Sequence, residues 1–131
     1  MTKTFRLCLF LIAGAIALVA AGPASAAGDA AKGEKVFRKC KACHYADKEK
    51  NKVGPTLVGL IGRTAGSVEG YRYSDAMKSS GIVWSAATLA TYLKSPRTMV
   101  PGTKMTFIGL RKDEDIADVI AYLEEATKTS N

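Results

Sequence analysis

Apolar side chains recur at Ile116, Val119, Ile120 and Leu123, an i, i+3, i+4, i+7 stripe that predicts one amphipathic helix near the end of the chain. Asp113, Glu114 and Asp115 precede the stripe, where a helix presents its positive end to acidic groups. A second helix is predicted from Gly28-Asp29 through Gly33, Val36 and Phe37 toward Cys40. Ser74 can cap a short helix through Asp75 and Met77, ended by Gly81. Ser85 can cap another, with Leu89, Tyr92 and Leu93 on one face and Pro96 as its stop. Between these lie a polar, lysine-rich loop over 44–54 and a run of tight turns at Gly54-Pro55-Thr56-Leu57, Gly59 and Gly62. No alternating strand-like run, internal repeat or low-complexity tract occurs, so the pattern predicts an all-α fold.

Gly33 interrupts the first predicted helix, at a cost of about 1 kcal/mol relative to alanine. Its use would be to let another helix approach closely. The first and last helices are expected to cross there, with Tyr122 or a neighbour filling the gap.

The chain opens with Lys3 and Arg6, then an apolar run from Leu7 to Ala21, Pro23, and the small residues Ala24-Ser25-Ala26. This reads as a secretory signal peptide over 1–26, cut before Ala27 or one residue later. Its apolar run is short of the roughly 20 residues that a membrane span needs, which disfavours a retained anchor and stable membrane insertion. Cys8 leaves with the signal. One domain over 27–131 remains, with 17 basic against 12 acidic residues, a net charge of +5. A domain so small builds only a modest core from its own side chains.

Cys40-Lys41-Ala42-Cys43-His44 carries the chemistry. Two thiols at this spacing can add across the two vinyl groups of one porphyrin, and the adjoining imidazole can then ligate its iron. A zinc site would need about four ligands, and 27–131 offers two Cys and one His. A thioredoxin-like centre would need a surrounding βαβ pattern, which is missing. A disulfide across so short a loop would stabilise little. Covalent attachment of one haem c is the expected use, and haem attachment outside the bacterial cytoplasm agrees with the signal. A buried haem would supply the centre of the fold.

His44 is the only histidine, so a second axial ligand from this chain must be a thioether, a lysine, or nothing. Met77 lies in a short predicted helix and suits a core position. Met99 and Met105 flank Pro101-Gly102-Thr103, a loop able to turn a side chain inward. Position alone leaves these two open, with a modest edge to Met105.

From Gly28 to Leu123 the chain resembles class I cytochromes c, most nearly the bacterial soluble cytochrome c2 type. The resemblance rests on Gly28-Asp29-Ala30-Ala31-Lys32-Gly33, the Cys40–His44 motif and Val53-Gly54-Pro55-Thr56-Leu57, and on Gly62-Arg63 and Tyr71-Arg72-Tyr73-Ser74-Asp75-Ala76. It continues with Gly81-Ile82-Val83-Trp84, Tyr92-Leu93-Lys94-Ser95-Pro96 and Pro101-Gly102-Thr103-Lys104-Met105-Thr106-Phe107. It implies the small cytochrome c fold, with helices wrapped around one covalent haem and crossing terminal helices. It also implies thioethers at Cys40 and Cys43, with His44 and Met105 as axial ligands. The Pro55 carbonyl would accept the His44 Nδ1–H. Tyr73 and Trp84 would hydrogen-bond a haem propionate, Arg63 would compensate its charge, and Tyr92 and Thr103 would tune the Met105 side. Read without the resemblance, Tyr73 and Trp84 are ordinary core aromatics and Arg63 a solvated charge. Met77 departs from the family, many of whose members place an asparagine there within a polar network; a drier pocket is expected. The 44–55 loop also looks about one residue shorter than in some relatives.

Lys39 and Lys41 flank the motif, Lys50 and Lys52 precede Gly54-Pro55, and Lys104 adjoins Met105; Lys94 and Lys112 are candidates for the same ring. Such a ring would steer the chain onto acidic docking faces of membrane redox complexes. The resemblance implies a periplasmic, monomeric one-electron carrier, not an enzyme, serving a quinol–cytochrome c reductase and then a terminal oxidase or a photosynthetic reaction centre. Nucleic acid would be a pointless partner there. The competing reading is a haem peroxidase or gas-binding haem protein, which would need an open distal position and usually a distal His or Arg.

Overall fold

Asp29 begins the first helix by turning its carboxylate back onto the free N–H groups of Ala31 (2.9 Å) and Lys32 (3.1 Å). In a computed structural model describing residues 27–129, this helix, α1, spans Ala30–Phe37. It is followed by α2 (Asp75–Lys78), α3 (Ala86–Lys94), α4 (Pro96–Met99) and α5 (Asp113–Ala126). Among the described residues the only β pairing is a single bridge between Thr64 and Val83. The expected signal peptide lies outside the described residues.

The predicted helices and their N-terminal caps are present, but α2 ends at Lys78 with Ser79 as its C-cap, two residues before the expected stop at Gly81. Ser74 accepts the Met77 N–H at 3.1 Å and starts α2. Ser85 and Thr88 form a reciprocal capping box that starts α3. Pro96 does more than stop α3: Ser95 leaves helical geometry (φ −156°, ψ 84°), and proline, with no N–H to satisfy, opens α4 at its first position.

α1 and α5 cross at Gly33, which is buried. A Cβ there would collide with the Asp118 carbonyl oxygen and stand 2.8 Å from Tyr122 Cβ, so only glycine permits this approach. Tyr122 packs beside the gap against Phe37, ring centroids 5.2 Å apart. The buried Asp118 carboxylate fixes the crossing, accepting the Asp29 N–H at 2.7 Å. The apolar stripe of α5 divides between two neighbours. Val119 and Leu123 face a central cavity, while Ile116 and Ile120 face α3.

Candidate cofactor site

Beyond α1 the chain keeps turning. Cys40 and Lys41 donate their N–H groups to Phe37 O, and Cys43 and His44 donate theirs to Cys40 O, all at 2.8–3.0 Å. This winding brings Cys40, Cys43 and His44 to the wall of one cavity of about 340 Å³, within the roughly 300–1,000 Å³ of small-molecule sites. Cys40 and Cys43 form no disulfide with each other, which leaves both sulfurs available to a cofactor.

The His44 ring is held from two sides. Its Nδ1 lies 2.8 Å from the Pro55 carbonyl, which can only accept, so Nδ1 carries the proton and Nε2 keeps its lone pair. Burial, opposed by that hydrogen bond, holds the imidazole below its ordinary pKa and therefore neutral. Gly54 lies against the ring; a Cβ there would strike Cε1 and stand 2.7 Å from Nδ1. The pocket for this imidazole thus depends on the Gly54-Pro55 pair.

Another part of the wall carries Thr103, Met105 and Tyr92. The Tyr92 hydroxyl sits 3.5 Å from Met105 Sδ and 3.2 Å from Thr103 Oγ1, and Thr103 Oγ1 accepts the Met105 N–H at 3.3 Å. The structure separates the two candidate thioethers: Met105 lines the cavity, while Met99 belongs to α4 and faces the groove between α3 and α5. Met77 is buried and also lines the cavity.

Trp84 is buried and packs on Tyr92 with ring centroids 5.0 Å apart, and both rings reach the cavity. Tyr73 lines it too; burial raises its hydroxyl pKa. Arg63 is not a solvated charge. Its guanidinium is half-buried and donates to Val58 O (2.6 Å) and Thr56 O (3.0 Å). Gly54 and Tyr71 line the cavity as well, without having been singled out as site residues from sequence. Tyr71 could have been suspected from its place beside Tyr73; Gly54 could not, because its role is a contact with a ring ten residues away.

The lysines divide. Lys39 and Lys104 reach the cavity mouth, and Lys41, Lys50 and Lys112 are exposed. Lys104 Nζ donates to Arg72 O, and Lys52 Nζ to Lys41 O, both at 2.8 Å. Lys94 does not join the ring: it pairs with Asp113 at 2.9 Å beside the α3–α5 groove.

A helical shell around an apolar cavity, with paired thiols and a neutral imidazole in its wall, defines a protein built around a covalently bound haem. Residues 30–127 match the cytochrome c family. The chain is 53% identical over 108 residues to cytochrome c2 of Rhodomicrobium vannielii, covering 82% of this chain and 86% of that protein. It is 45% identical over 116 residues to cytochrome c2 of Blastochloris viridis, covering 88% and 91%. Among solved structures, cytochrome cH from Methylobacterium extorquens superposes with a TM-score of 0.70 at 52% identity, covering 74% of this chain and 98% of that one.

The chain belongs to the cytochrome c family and is of the bacterial cytochrome c2 type. It is an electron carrier with one haem c, attached covalently through Cys40 and Cys43. The wall fits that group: two thiols, a ring nitrogen kept unprotonated, and a glycine where any side chain would displace the imidazole.

Proposed function

We propose that His44 Nε2 and Met105 Sδ are the two axial ligands, and that the chain is a periplasmic carrier rather than an enzyme. The observation that carries this reading is the pair of fixed donors in one cavity wall: an imidazole whose Nδ1 is committed to Pro55, and a thioether in contact with the Tyr92 hydroxyl. When bound, the haem supplies a one-electron couple between ferric and ferrous iron. Pro55 orients the imidazole and raises its basicity. A neutral sulfur partner favours a higher potential than a second imidazole would. With His44 and Met105 both engaged, the haem iron would have no position left open to oxygen or peroxide.

Tyr73 and Trp84 would donate to a haem propionate, and the half-buried Arg63 would offset its charge. The signal peptide would deliver the chain to the periplasm and be removed near Ala26, leaving a soluble monomer. The exposed lysines around the cavity mouth would steer it onto acidic faces of a quinol–cytochrome c reductase and of an oxidase or photosynthetic reaction centre. No helix among the described residues is long and apolar enough to cross a membrane.

The test is a redox titration of the haem-loaded protein together with carbon monoxide binding by its ferrous form. A single one-electron wave with no rapid carbon monoxide binding is expected. Rapid binding, or turnover of peroxide, would place the protein among haem enzymes or gas-binding proteins.

A further inference from the structure

Lys52 was expected to serve partner docking from its place in sequence, yet its side chain is turned back onto its own chain. Its Nζ donates to Lys41 O at 2.8 Å and lies 4.7 Å from the centre of the Tyr45 ring. Lys41 is inside the attachment motif and Tyr45 follows His44, so one ammonium grips both flanks of the imidazole's own segment. The backbone of the same lysine donates to Gly54 O at 2.9 Å, and Gly54 N–H returns to Cys43 O at 2.8 Å. Val53, Gly54 and Pro55 are therefore held between Lys52 and the motif. Lys48 reaches the Tyr45 ring as well, at 5.3 Å, so the ring is approached by two cations.

We propose that Lys52, with Tyr45 as its seat, is a positioning residue for His44: a clamp that keeps the Gly54-Pro55 turn closed on the imidazole. A charge-assisted hydrogen bond and a cation–π contact act on the same ammonium, so each reduces the freedom the other must overcome. With the clamp open, the 52–55 turn can lift. The ring then loses both its carbonyl acceptor and the wall formed by Gly54. The clamp sets how long the Nδ1–H···O=C bond persists, which is the link between this loop and ligand basicity. The inference rests on His44 being an iron ligand.

The experiment uses haem-loaded parent, Lys52→Gln, Lys52→Arg and Tyr45→Leu proteins, with proton NMR following solvent exchange of the His44 Nδ1 proton. Exchange is expected to rise severalfold in Lys52→Gln and in Tyr45→Leu, with Lys52→Arg restored to within about twofold of the parent. Amides of the α1–α5 crossing should exchange as in the parent. An unchanged Nδ1 rate in Lys52→Gln would overturn the proposal, and so would equal acceleration of the α1–α5 amides, which marks general loosening. Whether His44 ligates the iron at all is read separately from the parent's spectrum, so the two ideas fail separately.

Discussion

The Tyr92 hydroxyl meets two partners at once, Met105 Sδ at 3.5 Å and Thr103 Oγ1 at 3.2 Å. One hydroxyl has one proton. Thr103 can donate to the Tyr92 oxygen, which leaves the Tyr92 proton for the sulfur. Burial raises the Tyr92 pKa, so that proton is retained through the neutral range.

A hydrogen bond to sulfur withdraws electron density and disfavours the ferric state. Tyr92→Phe should therefore lower the reduction potential. A neutral hydrogen bond is worth about 0.5–1 kcal/mol, and about 1.4 kcal/mol corresponds to roughly 59 mV for one electron, so the fall should be about 20–40 mV. Equilibrium titration against redox mediators measures it; a rise would show that the proton goes elsewhere.

Gly33→Leu should loosen the whole molecule, because any Cβ at that point meets the Asp118 carbonyl and Tyr122. The crossing must separate or a helix must bend, at a cost of about 1–3 kcal/mol or more. Guanidinium unfolding followed by circular dichroism should show a lower midpoint. An unchanged midpoint would mean that the crossing carries no stability.

The helices were legible because their signals are local. Asp29, Ser74 and Ser85 cap where their side chains predicted, and the α5 stripe is buried along its length. The second helix start at Pro96 was missed, because the same residue that ends α3 supplies a ready first position for α4. At the site, the Cys40–His44 spacing revealed the paired thiols and imidazole. The Pro55 acceptor was expected only from family resemblance; its carbonyl lies 2.8 Å from His44 Nδ1. What remained hidden was three-dimensional: Gly54 against the ring, Arg63 on the Val58 and Thr56 carbonyls, and lysine side chains drawn back onto the backbone. None of these leaves a periodic trace in sequence, since each joins residues from different loops.

Lys39 lines the cavity and Lys41, two residues on within the attachment motif, is exposed, whereas Lys94 is paired beside another groove. Reversing the first two, Lys39→Glu with Lys41→Glu, should slow oxidation by isolated membranes about tenfold at low ionic strength, and added salt should shrink the difference. Lys94→Glu should have a much smaller effect. Stopped-flow rates across a salt series decide this; equal effects at the two places would remove directed steering from the account.

The proposed second protein ligand of the haem iron, beside His44, is the Met105 thioether. The oxidised visible spectrum of the parent and of Met105→Ala tests it most directly. The weak red band of thioether-ligated ferric iron is expected in the parent, with its loss in Met105→Ala and carbon monoxide binding gained by the ferrous variant. A parent without that band, or a band that survives the substitution, would contradict it.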